Sequence, residues 1–235
     1  MTMANQHSVV ISWRTDIASS SKVTYGNHPG VSSGGVVNNN LVTEHVIKLT
    51  GLNPETKYYY TIGTNTTILQ GGSENYFYTH PVSSASYNKP VRILAVGDVA
   101  KATIYEEQVR DAFLQYVDTN YVNGYLMLGD NAYPSGLDSD FQLGFFNYFQ
   151  NKVTKHTVLW PALGNHEYDN NDTKRKTHAI PYYDIFTLPT QGECGGLSSN
   201  TEMYYSFNLG NIHFINLDSY GMELVGANYY GLADT

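Results

Sequence analysis

Three apolar runs in the second half of this chain each stop at a glycine followed by a carboxylate or an amide. Val91 to Val96 ends at Gly97-Asp98, Tyr125 to Leu128 ends at Gly129-Asp130, and Thr157 to Leu163 ends at Gly164-Asn165, roughly 30 residues apart. Runs that do not alternate fit parallel-type strands buried on both faces. Between the first two, Ala102 to Val122 carries Tyr105, Val109, Ala112, Phe113, Tyr116 and Val117 on one helical face, with Glu106 and Arg110 as an i, i+4 pair on the outer side. Between the second and third, Ser139 with Gln142 fits a capping box, and Phe141, Phe145, Tyr148 and Phe149 share one side of the helix that follows. Strand, helix, strand, helix, strand is the order of an α/β sheet. Met203 to Asn208 and Ile212 to Leu217 read as two further strands.

In such a sheet the loops after neighbouring strands converge at one edge, where ligands bind. A single Gly-Asp there is ordinarily a turn; three in order are hard to explain that way. Asp98 and Asp130 would bring two carboxylates into one small space, where one would take up a proton unless a polyvalent cation were present. Asn165 adds a neutral oxygen, and Tyr133, three residues after Asp130, adds a phenol. An oxygen-rich set of this kind suits hard ions such as Fe(III) and Mn(II), with Zn(II) at a more His-rich half.

The first eighty residues have a different pattern. Val9, Ile11 and Trp13 alternate; Lys22 to Tyr25, Thr43 to Leu49, Tyr59 to Ile62 and Asn75 to Thr79 read as further short strands, with Gly26 to Asn40 as a loop. Short strands without helical period indicate a small β-sandwich. Leu52-x-Pro54-x-Thr56-x-Tyr58 resembles the tyrosine corner of fibronectin type III modules, and Trp13 resembles their core tryptophan. These residues hold a module together rather than do chemistry. The first strand starts near Ser8, where such a sandwich has an earlier one, so the chain reads as clipped. The expected architecture is mixed: a fibronectin III-like β-sandwich over 1–80, a polar linker over 81–90, and an incomplete α/β domain over 91–235.

Charged residues make up 14% of the chain, the net charge is −8, and no basic run exceeds Lys174-Arg175-Lys176. A nucleic-acid partner is therefore not expected. No apolar run approaches the length of a membrane span, and Met1 to Gln6 has no leader character. The 21 tyrosines and the abundance of Asn, Ser, Thr and Gly suit a secreted protein, extracellular or periplasmic. Cys194 is the single cysteine, so no internal disulfide forms, and its Gly/Ser-rich surroundings read as a loop with a free thiol or, second, an intermolecular bridge.

Gly97-Asp98, Gly129-Asp-Asn-Ala-Tyr133 and Gly164-Asn-His-Glu167 resemble the first three motifs of the metallophosphatase fold, and Tyr133 at its place after Asp130 resembles the mark of purple acid phosphatases. The sandwich ahead of them is similar to that family's larger members. The resemblance implies an acid phosphatase with an Fe(III) ion paired to a divalent Zn, Mn or Fe. Asp98 and Tyr133 would bind the ferric ion, Asp130 would bridge, and Asn165 would bind the divalent ion. His166 would be the catalytic residue beside the leaving oxygen of a phosphomonoester, attacked by a metal-activated hydroxide. The family's remaining histidine ligands come from a Val-x-x-His and a Gly-His-x-His motif, and neither occurs here. His213 reads as a packed or edge side chain, His178 and His156 as solvent-facing, and Asp218 as a structural hydrogen-bonding group. Two other readings stand beside this one: a metallophosphodiesterase, and a non-catalytic binding or adhesion module.

Overall fold

In the first region the backbone forms one antiparallel sheet. Its strands are β1 (Val9–Gly26), β2 (Gly34–Leu49), β3 (Lys57–Gly63), β4 (Ile68–Gln70) and β5 (Tyr76–Tyr78), ordered β2-β1-β3-β4 with β5 also on β3. The structure is a computed structural model and describes residues 1–225 and 228–231. Val9 to Trp13 and Lys22 to Tyr25, expected as two strands, are one. β1 continues through register shifts between Arg14 and Ser21, where Asp16, Ile17 and Ala18 lie exposed and the apolar alternation lapses. The expected loop from Gly26 to Asn40 is shorter than that. β2 begins at Gly34, and Gly34 to Asn38 pair with β1 through their backbones. This stretch is largely exposed, so it carries no apolar pattern that would mark a strand.

The corner motif behaves as a tyrosine corner should: the Tyr58 hydroxyl accepts from the Asn53 N–H at 3.0 Å. Thr2 pairs with Val10 through two backbone bonds of 3.0 Å, ahead of β1. Trp13 is half-buried rather than central, and stacks on His45 at 4.7 Å.

The second region is built on the parallel sheet β6 (Ile93–Val96), β7 (Gly124–Leu128) and β8 (Leu159–Ala162), in that order. Helix α1 (Ile104–Val117) joins β6 to β7, and a continuous helix α2 over 138–154 joins β7 to β8. Phe141, Phe145 and Phe149 of α2 are buried, and Phe145 stacks on Phe149 at 5.0 Å. Much of α2 is wound as π-helix. Its start is capped by Asp140, whose carboxylate accepts from Ser135 N and Leu137 N at 3.1 Å, and not by Ser139 with Gln142.

Two expectations for this region fail. Helix α1 is turned the other way round: Tyr105 and Tyr116 are 70% and 88% exposed, whereas Glu106 and Arg110 are 9% and 6% exposed. The polar pair faces inward because each side chain has work there. Glu106 accepts from the Lys101 N–H in the loop after β6, and Arg110 donates to the Tyr148 carbonyl of α2. β6 is half-buried, not buried.

Beyond β8 come α3 (Asp172–Thr177), α4 (Tyr182–Ile185), the antiparallel pair β9 (Tyr205–Leu209) and β10 (Ile212–Asn216), and the unanticipated pair β11 (Met222–Val225) and β12 (Asn228–Gly231). Trp160 of β8 stacks on Phe207 of β9 with centroids 3.6 Å apart and rings 4° from parallel. The Pro161 carbonyl accepts from Tyr182 and Tyr205 hydroxyls and from Asn216 Nδ2, at 2.7, 2.8 and 2.9 Å. These contacts fix the β9–β10 pair against β8.

The remaining polar candidates are placed by ordinary bonds. Asp218 is buried and accepts from the Tyr168 hydroxyl at 2.6 Å and from Tyr220 N and Gly221 N, which fits its expected structural role. His213 is exposed and bonds Asn208. His178 and His156, expected in solvent, are half-buried: His178 bonds the Tyr168 hydroxyl and the Met222 carbonyl, and His156 stacks on Tyr76 at 5.3 Å. Cys194 is buried despite its glycine-rich surroundings, and burial pushes its thiol up to about 12.

Candidate metal centre

The ends of β6, β7 and β8 meet as the parallel order requires. Asp98 follows β6, and its N–H donates to the Gly129 carbonyl after β7 at 3.2 Å. Both Asp98 and Asp130 stand in the left-handed region, with φ of 54° and 51°, and Ala100 in the same loop as Asp98 has φ of 67°. Non-glycine residues seldom hold that conformation, and such strain gathers at functional sites.

Three oxygens converge there. The Tyr133 hydroxyl lies 2.8 Å from Asp98 Oδ1 and 3.2 Å from Asp130 Oδ2. It is a donor to two acceptors, so its proton is shared between carboxylates that would otherwise repel. Burial first, and then the Asp98 carboxylate, push the phenol well above its ordinary range. The Tyr133–Pro134 peptide is cis.

His166 joins this group through both its backbone and its ring. Its N–H donates to Asp130 Oδ1 at 3.0 Å, and its ring lies 4.2 Å from that of Tyr133. Nδ1 sits 2.6 Å from the Pro134 carbonyl. A carbonyl only accepts, so Nδ1 carries the hydrogen and Nε2 is the nitrogen left for other work. Asn165 makes no hydrogen bond with the other four; its amide donates to Asn170 Oδ1 at 2.8 Å. It is held near them by Gly164, which packs directly on Asp130. A Cβ at Gly164 would fall on the Asp130 amide nitrogen and carboxylate.

Two residues enter the site that the sequence reading gave no role. Glu167 is buried, and its carboxylate accepts from Asp130 N at 2.9 Å, Gly164 N at 2.7 Å and Asn131 N at 2.6 Å. One side chain thus ties the loop after β7 to the loop after β8. Burial pushes its carboxyl up to about 7, while the three N–H groups pull it the other way. Its place beside His166 in Gly164-Asn-His-Glu167 was the available signal. Lys101 puts its ammonium 4.3 Å from the centroid of the Tyr133 ring. A basic residue three positions after Asp98 could have drawn notice.

Among the described residues no three His, Cys, Asp or Glu side chains cluster to hold a metal. The donor set therefore depends on Tyr133 and Asn165 as well as the two aspartates.

Comparison with known proteins bears on the same residues. The model described as Purple acid Phosphatase, N-terminal domain matches residues 1–80, and the model described as Calcineurin-like phosphoesterase matches residues 91–226, which include every site residue named above. The chain belongs to the purple acid phosphatase family of calcineurin-like phosphoesterases. Purple acid phosphatases 15, 13 and 23 of Arabidopsis thaliana are 30%, 29% and 28% identical to it over 75%, 80% and 80% of this chain. The chain spans 35–43% of the length of these relatives. Among solved structures, one titled Structure of PhoD matches with a TM-score of 0.60 over 94% of this chain and 51% of that one, at 14% identity, a likeness of fold alone. Membership of the purple acid phosphatase family implies a binuclear metal centre. No helix among the described residues is long and apolar enough to cross a membrane.

Proposed function

We propose that this chain carries the metal-binding core of a phosphoric monoester hydrolase, an acid phosphatase with an Fe(III) ion and a divalent partner. The observation that carries the reading is the Tyr133 hydroxyl set between Asp98 and Asp130. Two carboxylates and a phenol within hydrogen-bond reach form a hard, oxygen-rich donor set. Loss of the phenolic proton would give the third anionic ligand. On this reading Asp98, Asp130 and Tyr133 would hold Fe(III), and Asp130 with Asn165 would serve the divalent ion, Zn, Mn or Fe. When bound, the pair supplies Lewis acidity and a water-derived nucleophile below neutral pH.

The chain's own residues do the rest. Glu167 keeps the Asp130 and Gly164 loops in register. The Pro134 carbonyl fixes the His166 tautomer, which leaves Nε2 to hold a proton for the leaving oxygen. Lys101, beside Tyr133, adds positive charge for a phosphate dianion, which matters in a chain of net charge −8. A secreted location is part of the proposal and rests on composition and on the family.

The test is hydrolysis of an aryl phosphate monoester and the matching diester by the iron- and zinc-loaded chain, beside Asp130→Asn. Faster monoester turnover that Asp130→Asn abolishes supports the reading. Faster diester turnover favours a phosphodiesterase. Two bound metals with no turnover of either ester would make this chain a binding module.

A further inference from the structure

A cavity of about 530 Å³ lies away from the proposed metal centre. It opens between the β1–β2 hairpin and helix α2, and its volume falls within the roughly 300–1,000 Å³ usual for small-molecule sites.

The aromatic part of the wall is held rigid. His45 stacks on one face of the Trp13 indole, with rings 4° from parallel. Both His45 nitrogens are themselves engaged, Nδ1 with the Ser21 hydroxyl and Nε2 with the Thr15 hydroxyl, each at 2.8 Å. A ring fixed before binding loses little freedom on binding. At the rim Arg14 binds Glu44 of β2 and, through two nitrogens at 2.8 and 2.6 Å, Asp138 of α2, which joins the two walls.

The charge of the lining limits what can bind. Its charged residues are Arg14 and Lys155 against Asp16, Glu44 and Asp184, and Arg14 is already paired twice. An anion would find little uncompensated positive charge. Uncharged polar groups are plentiful instead: Gln70, Gln142, Gln150 and Asn151 all line the cavity and can both donate and accept. A rigid indole beside several amides matches a molecule with apolar ring faces and many hydroxyls.

We propose that this cavity is a binding site for a neutral carbohydrate of one to a few residues. It is separate from the phosphoester chemistry and does not depend on it.

The test is titration of the full chain with maltose, cellobiose and N,N′-diacetylchitobiose, and with glucuronic acid as the anionic comparison. Of the two tryptophans, Trp160 is fully buried in the second region and Trp13 is half-buried in the cavity wall, so a change in emission reports on Trp13. The expected result is a saturable change with at least one neutral disaccharide at a Kd of about 1 mM or tighter. By calorimetry, Trp13→Phe and Gln142→Ala should each weaken that binding at least tenfold, and glucuronic acid should bind at least tenfold more weakly. Gln142→Ala should leave aryl phosphate hydrolysis unchanged. If Trp13→Phe fails to fold, Gln142→Ala on the opposite wall decides. Absence of saturable binding, which would mean that the cavity holds only water, overturns the proposal. So does equal binding of glucuronic acid, or binding that neither variant weakens.

Discussion

Replacing Glu167 with glutamine tests whether one buried carboxylate holds the site's two loops together. In the native chain Oε2 accepts from Asp130 N and Gly164 N, and Oε1 accepts from Asn131 N. A glutamine keeps one oxygen. Placed where Oε2 stands, that oxygen retains two bonds, and the new NH₂ then points at the Asn131 N–H, donor against donor. The cost is at least that of one buried unpaired N–H, about 1–3 kcal/mol. At roughly 2–4 °C per kcal/mol for a chain of this size, the midpoint should fall by about 2–12 °C. Glu167→Ala leaves all three N–H groups without an acceptor and should cost more than Glu167→Gln. Denaturation by heat and by urea measures both, and hydrogen exchange at the Asp130 and Asn131 amides localises the effect. Glu55→Gln on the surface is the control. If Glu167→Gln costs no more than Glu55→Gln, or if the alanine variant is the more stable of the two, the clamp is refuted.

Three other outcomes follow from the packing. His80 is buried with neither ring nitrogen paired, and burial lowers its pKa from 6.5 to about 4. The unfolded chain therefore binds more protons between those values, so stability should fall as pH drops from 6.5 to 4, by about 3 kcal/mol at the limit; His80→Phe should flatten that slope in urea titrations at several pH values, and an unchanged slope would contradict it. Gly164→Ala drives a Cβ onto Asp130, so it should cost about 1–3 kcal/mol by overpacking and lower metal content, both measurable on one preparation. Cys194, buried and with its thiol pushed up to about 12, should resist a thiol reagent until the chain unfolds; rapid labelling of native protein would show the burial to be wrong.

How far the sequence could be read depended on what each feature needs from the rest of the chain. The strand ends at Asp98, Asp130 and Asn165 were legible because glycine and a polar residue after an apolar run mark both the end of a strand and the edge of a sheet. The tyrosine corner was legible for the same reason: it is local. Helix α1 was misread because its apolar residues recur with helical period, while its inward face is decided by two distant partners. Those are the Lys101 N–H for Glu106 and the Tyr148 carbonyl for Arg110. β2 was half missed because Gly34 to Asn38 pair through the backbone and bury little. The roles of Glu167 and Lys101 also lay outside a linear reading, since each acts on a loop that comes earlier in the chain or on a ring about thirty positions away.

The central claim is that Tyr133, with Asp98 and Asp130, is a ligand and not merely a hydroxyl bridging two carboxylates. Metal analysis with an absorption spectrum on the iron- and zinc-loaded chain, beside Tyr133→Phe, tests it most directly. The account predicts two metal ions per chain and a visible phenolate-to-Fe(III) band that disappears in Tyr133→Phe. A folded chain that retains no metal, or a band that survives the substitution, would contradict it.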